Sequence, residues 1–338
     1  MVKPIEDVRE ISRIAYGFMA SKALFSALHL DVFSRLEKRP QTARELAADA
    51  GVAEPRMQTL LSALASLGLI VAADDRWMNA PASARYLVTG SRVGFGEYHK
   101  LQIDEQVYPL MTHLTDGLRG DIEHLAGVLQ GTQMTDAHEA DQFSRAQHAG
   151  SLGPALVLAR RIDLSGASRL LDVAGGSGAF TITLCARFPE LQATILDFPN
   201  VVRVARRYVA EAGLADRVEF VSGDALDVGW PSTDVVLMSY LLSAVSGPDI
   251  RRLLERAWDT LSPTGTVLVH DFMLDDDRQG PDLAALWFLT YVAVSADPVS
   301  FTRADITALM TEIGFVDIVS EPLIPGITRL VSAVRPNE

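Results

Sequence analysis

A single cysteine, Cys185, stands in 338 residues. That excludes an intrachain disulfide framework and any cysteine-built metal site. Long apolar runs are missing too. The longest uncharged one, Leu283 to Ala296, is too short to span a bilayer, and the opening Met1-Val-Lys-Pro-Ile-Glu-Asp7 has no apolar signal core. Basic residues are in deficit: 30 Lys and Arg face 43 Asp and Glu, for a net charge of −13, which argues against a general nucleic-acid binder. Five of the seven histidines (His99, His113, His124, His138 and His148) fall between Gly90 and Gly150, but none are spaced H-x-x-x-H, so no protein-held metal is expected. With 48% hydrophobic and 22% charged residues, what remains is a cytoplasmic enzyme or binding protein long enough for two domains.

What is present centres on Arg169-Leu-Leu-Asp-Val-Ala-Gly-Gly-Ser-Gly-Ala-Phe180. Leu170, Leu171 and Val173 read as a buried parallel strand, Gly175, Gly176 and Gly178 as a tight turn, and Phe180 to Phe188 as a helix. A strand passing through glycines into a helix is the nucleotide-binding end of a doubly wound α/β domain. A dinucleotide fingerprint would need a third glycine where Thr181 stands. Asp172, just before the turn, would repel a pyrophosphate but suits a ligand carrying an ammonium and a sulfonium. This stretch resembles the first motif of class I S-adenosylmethionine (SAM) methyltransferases.

Before it, a helical pattern covers Val8 to Leu36, Thr42 and Glu45 form a capping box, and Glu54 to Leu67 reads as a further helix. Leu69 to Asn79 reads as a hairpin turning near Asp74-Asp75, which completes a winged helix. Such modules bind DNA in many proteins, which raises a rival reading as a SAM-binding regulator. The presumed recognition helix, Pro55 to Leu67, carries only Arg56 as a base, which favours dimerisation over DNA contact. After Arg169, seven strand patterns alternate with helices, and the last two strands, joined by Leu323-Ile-Pro-Gly-Ile327, should pair antiparallel. The expected layout is a winged-helix dimerisation domain over 1–90, a helical linker contributing to an acceptor pocket over 91–165, and a Rossmann-like α/β domain over 166–338.

Polar groups at successive strand ends should converge on one crevice. Strand two ends at Asp197-Phe198, where a carboxylate can accept both ribose hydroxyl protons; strand three ends at Gly223-Asp224, where another can accept from an adenine amino group; strand four ends at Ser239-Tyr240. Over nearly its whole length the chain resembles the SAM-dependent O-methyltransferases with an N-terminal winged-helix dimerisation domain. Leu171-Asp-Val-Ala-Gly-Gly-Ser-Gly178, Leu196-Asp-Phe-Pro199, Arg217 to Asp224 and Leu261 to Val269 carry the likeness. The resemblance implies that Asp172, Gly175 and Gly178, with Gly176 between them, cradle the methionine end of SAM, while Asp197 holds the ribose and Asp224 the adenine. Two positions depart from the family: Ala225 stands where a bulkier apolar residue meets the ring, and Ser239 where many members carry lysine. The resemblance further implies a homodimer with interlocked N-terminal domains.

The family's catalytic histidine is absent. Its segment here reads Tyr240-Leu-Leu-Ser-Ala-Val, which puts Ser243 at the base position, and the orienting acids fall on Phe288 and near Val299-Ser300. A serine hydroxyl is far too weak a base to replace imidazole. Three readings stay open. The acceptor could be an electron-rich or ionised oxygen or carbon needing no strong base; another residue, His148 first and then Tyr240 or Tyr291, could act instead; or the scaffold could be diverted to hydroxylation or cyclisation. His270 is expected to be structural. The aromatic stripe from Leu283 to Val292 predicts an acceptor pocket in which Trp287 and Tyr291 join Met111, Phe143 and His148, suited to an aromatic or polycyclic molecule.

Overall fold

A computed structural model describes residues 3–121, 137–293, 295 and 299–337, with the backbone alone at 138 and 139. His124 and the His138 side chain therefore lie outside the described residues. The chain divides into two compact units, Val2–Tyr108 and Pro109–Glu338. No helix among the described residues is long and apolar enough to cross a membrane.

In the first unit the helical pattern read as continuous from Val8 to Leu36 is two helices, Val8–His29 and Val32–Lys38. Asp31 interrupts it in the left-handed region at φ 54°, where its carboxylate accepts the Thr89 hydroxyl at 3.0 Å; aspartate tolerates that backbone because its short polar side chain bonds locally. Helix Ala43–Ala50 opens on the expected capping box between Thr42 and Glu45. Helix Glu54–Ser66 and the hairpin β1 (Ile70–Ala73) and β2 (Arg76–Asn79) follow, with Asp74 at φ 56° in the turn. Leu46, Met57, Leu61, Leu64 and Ile70 form the core of this winged helix. The first half of helix Val8–His29 instead exposes Val8, Ile11, Ile14, Phe18 and Met19, each at least half accessible. Ten residues, Tyr98–Val107, form a π-helix that the sequence pattern did not reveal.

The second unit holds β3 (Arg169–Val173), β4 (Gln192–Asp197), β5 (Val218–Ser222), β6 (Thr233–Ser239), β7 (Leu261–Asp271), β8 (Val316–Ile324) and β9 (Thr328–Val334). They form one sheet in the order β5-β4-β3-β6-β7-β9-β8, parallel except for β9, which runs against both β7 and β8. This is the expected seven-stranded sheet with its last strand antiparallel. Both faces of the strands are apolar because helices cover each. Leu171 and Val173 enter one buried cluster with Leu254 and Val269, while Leu170 enters another with Leu184 and Ile195. Strand order reverses at β3, and a crevice at such a switch point is where doubly wound sheets bind ligands. Register then aligns the carboxyl ends: Val173 lies beside Leu196 and Met238, Asp197 beside Ser222, and Ser239 beside His270. Leu171 is fully buried on the switch-point strand. Leu171→Ala should lower stability by about 2–5 kcal/mol, read as a reduced urea midpoint at unchanged slope.

Candidate active site

β3 leaves the sheet through Ala174 at φ 53°, Gly176 at φ 58° and Gly178 at φ 79°. Two of the glycines are required by their surroundings. A Cβ on Gly175 would stand 2.8 Å from Asp172 Cγ, and one on Gly178 would stand 2.8 Å from Ile195 Cδ1. A Cβ on Gly176 would project into open space, so the turn presents bare backbone to the crevice there. Asp197 Oδ2 accepts the Gly176 N–H at 2.8 Å, and its Oδ1 accepts the N–H of Phe198, the residue preceding helix Pro199–Glu211, at 2.7 Å. Asp172 lies beneath the turn, 1% exposed, and accepts the Thr181 hydroxyl at 2.6 Å. The third strand end joins through the Gly223 N–H, which donates to the Asp197 carbonyl at 3.0 Å. Asp224 closes its own turn by accepting the Leu226 N–H at 2.8 Å, and the Ala225 carbonyl accepts the Trp230 indole N–H at 2.9 Å.

Burial pushes the Asp172 carboxyl up to about 7, with the neighbouring Asp197 charge adding to the effect, and pushes Asp197 up to about 6. The Thr181 hydroxyl and the backbone N–H groups hold these values down but do not cancel desolvation. Neither carboxylate forms an ion pair with a cationic side chain among the described residues. A crevice with two uncompensated buried carboxylates and a glycine backbone fits a cofactor whose amino-acid end carries an ammonium beside a sulfonium. No group of three or more His, Cys, Asp or Glu among the described residues is arranged to hold a metal.

At the next strand ends, Ser239 Oγ hydrogen-bonds His270 Nδ1 at 2.9 Å, and His270 Nε2 meets Thr328 Oγ1 at 2.8 Å. Burial drives His270 down to about 3, so this fully enclosed ring is neutral and structural. Tyr240 follows Ser239 in the left-handed region at φ 56°, a conformation costly for an aromatic residue. Its ring meets His270 at 4.5 Å and Phe272 at 5.4 Å, and Phe272 stacks on Trp287 at 4.9 Å. A chain of aromatic contacts therefore runs from the end of β6 to helix Asp282–Val292.

Ser243, which the family resemblance puts at the base position, is only 2% exposed, and its backbone N–H donates to Asp271 Oδ2 at 3.0 Å. Asp271 is fully buried and also accepts the Phe272 N–H at 2.8 Å. Burial raises its carboxyl to about 6 despite these donors. Tyr291 is pushed up to about 12, by burial first and by the Asp271 charge second. A phenol so held donates a hydrogen bond at neutral pH and does not take a proton.

The remaining predicted residues divide. His148 sits at the glycine turn: its Nδ1 is 2.8 Å from Ser177 Oγ, its ring lies 4.0 Å from Tyr208 with planes 10° apart, and burial lowers it to about 4. Met111 and Phe143 are half-buried on helices Tyr108–Met111 and Ala137–Arg161. A cavity of about 200 Å³ is lined by Leu274, Ala285, Phe288, Leu289, Val292, Val299 and Ser300, none of them among the predicted pocket residues. Phe288, Val299 and Ser300 are, however, at or near the positions where the family resemblance puts the orienting acids. Sequence reasoning passed over Thr181, Asp271 and Tyr208. Only Asp271 carried a signal, a single charge inside the stretch Thr266 to Met273.

Comparison with known proteins agrees with this geometry. The family profile described as an O-methyltransferase domain matches residues 113–316, and the O-methyltransferase dimerisation domain matches 12–89. The chain is 29% identical to 3-hydroxy-5-methyl-1-naphthoate 3-O-methyltransferase of Streptomyces sahachiroi, over 96% of this chain and 94% of that one. It is 28% identical to L-tyrosine C(3)-methyltransferase of Streptomyces lavendulae, over 91% and 87% of the two chains. Among solved structures, human N-acetylserotonin methyltransferase in complex with SAM superposes with a TM-score of 0.86 at 25% identity, covering 99% of this chain and all of that one.

The carboxyl values fix a direction with pH. An unfolded aspartate titrates near 4, so between about pH 4 and 7 the folded chain binds more protons at Asp172 than the unfolded chain does. That contribution makes stability fall as pH rises through this window. Asp172→Asn should therefore shift the urea midpoint of the ligand-free protein upward relative to wild type as pH is raised from 4.5 to 7.5. A constant difference across that range would show Asp172 to be ionised throughout.

Proposed function

The chain belongs to the O-methyltransferase family, and on that premise we propose that it transfers the methyl group of SAM to a small hydrophobic, aromatic or polycyclic natural-product acceptor. The observation that carries this reading is the crevice in which buried Asp197 is tied to the bare backbone of Gly176 and, through its carbonyl, to Gly223. Each Asp197 oxygen spends one lone pair on a backbone donor and keeps capacity for a ribose hydroxyl. Asp224 and Ala225 would meet the adenine. Gly175, Gly176 and Gly178 would face the methionine end, with Asp172 supplying negative potential from beneath and Phe198 and Ser239 bordering the site. Bound there, SAM supplies an electrophilic methyl on a sulfonium for in-line attack.

The chain's own groups at the acceptor side orient and shield; none is a strong base. Ser243 is enclosed and pinned through its backbone to Asp271, and Tyr291 keeps its proton. Tyr291 can therefore donate to an oxygen of the acceptor, while the half-buried Trp287 and Tyr240, joined through the buried Phe272, supply aromatic neighbours for a ring. An acceptor that arrives ionised, or electron-rich at carbon, suits such a site because positioning alone carries much of the rate when the nucleophile is good. The resemblance to relatives named for oxygen and for carbon methylation supports both outcomes. The dimerisation-domain match and the exposed apolar half of helix Val8–His29 support a homodimer through the N-terminal unit.

Calorimetry should detect saturable binding of S-adenosylhomocysteine to the pure protein, with Asp197→Ala weakening it at least tenfold; a folded wild-type protein that takes up neither SAM nor its product removes this reading. With labelled SAM and a series of hydroxynaphthoates, transfer to oxygen should speed up as the acceptor hydroxyl becomes more acidic. A rate independent of that acidity would count against the base-free site. Ile14→Asp with Phe18→Asp should move the particle from dimer to monomer mass in sedimentation.

A further inference from the structure

His148, a predicted general base, is tied directly to the cofactor loop. Its Nδ1 meets Ser177 Oγ at 2.8 Å inside the glycine turn, one residue from Gly176, whose N–H Asp197 accepts at 2.8 Å. Its ring lies flat on Tyr208 at 4.0 Å, on the helix that begins two residues after Asp197. Two further contacts brace the same pair of helices: Arg207 donates to Asp141 at 2.8 Å, and Arg203 donates to the Ala137 carbonyl at 2.8 Å. The imidazole thus joins three elements, helix Ala137–Arg161, the turn after β3 and the helix after β4. Its neighbours are the cofactor turn and Tyr208, whereas the vacated base position is held by Asp271.

We propose that His148 is a positioning residue for the cofactor, fixing Ser177 so that the glycine turn is preformed for the nucleoside and amino-acid ends of SAM. The inference rests on the SAM reading of the crevice. A turn left with three glycines has many conformations to lose on binding, and two hydrogen bonds to adjacent residues of the turn reduce that cost before the ligand arrives. Asp197 grips the backbone of Gly176 and His148 grips the side chain of Ser177. Burial keeps the ring neutral, so it can serve Ser177 as acceptor or donor without adding a charge beside the buried carboxylates.

The test is a double-mutant cycle on S-adenosylhomocysteine affinity, measured by calorimetry. His148→Phe keeps a ring to stack on Tyr208 and loses the bond, while Ser177→Ala loses the same bond from its other end. Each should raise Kd about fivefold, the value of one ordinary hydrogen bond, and the double variant should bind no worse than the weaker single. His148→Asn, which returns a polar atom near the Nδ1 position, should restore most of the affinity, and in turnover the His148→Phe loss should fall mainly on KM for SAM. Far-ultraviolet circular dichroism establishes that each variant is folded. Unchanged Kd in folded His148→Phe and Ser177→Ala, or fully additive losses, overturns the proposal. So does a hundredfold fall in kcat at unchanged Kd, which would make His148 the base. Failure of the wild type to bind at all would instead sink the SAM reading.

Discussion

The 2.8 Å hydrogen bond from Gly176 N–H to Asp197 couples two loops that a parallel sheet otherwise leaves independent. Parallel strands satisfy their backbone along their length, but each then departs into its own crossover, and nothing in the ladder fixes one departing loop against the next. Here the register supplies the opportunity, because Val173 and Leu196 are paired and the residues beyond them emerge side by side. The Asp197 side chain uses it, and the Asp197 carbonyl extends the tie to Gly223 on the third strand end. The crevice is thus stitched across three strands by one aspartate. Stripping that carboxylate of water raises its pKa.

The acceptor side solves a different problem with the same type of residue. A short 3-10 turn, Leu242–Ala244, follows β6, and its orphan backbone donors are buried. Asp271, at the end of the neighbouring strand, takes the Ser243 N–H at 3.0 Å and caps that turn from below. The carboxylate is engaged in architecture, and the serine above it is enclosed. Enclosed and hydrogen-bonded, this turn forms a satisfied floor next to the aromatic contacts of Tyr240, Phe272 and Trp287.

Much of the second unit was legible because its signals are local. Alternating buried runs, glycine after a strand and capping residues before helices each act within a few residues, and the seven expected strand patterns are seven strands of one sheet. The acids at Asp172, Asp197 and Asp224 could be named for the same reason. What escaped was long-range or conformational. The Asp31 break in the first helix depends on Thr89, far along the chain. The partner of His148 is Ser177, and its ring neighbour Tyr208 is 60 residues away (148 to 208). The π-helix Tyr98–Val107 has no sequence period that separates it from an α-helix. The role of Asp271 emerges only once β6 and β7 are side by side.

The aromatic contacts are borne by elements of unequal freedom. Tyr240 and Phe272 sit directly on strand ends, where any change of backbone would disturb the stitched crevice, whereas Trp287 rides on a surface helix whose exposed face carries Leu283 and Leu286. A lineage adapting to a wider or narrower ring system can therefore redraw that helix and leave the strand ends alone. Diversity in what is methylated and constancy in how the donor is gripped would then accumulate on separate parts of one chain.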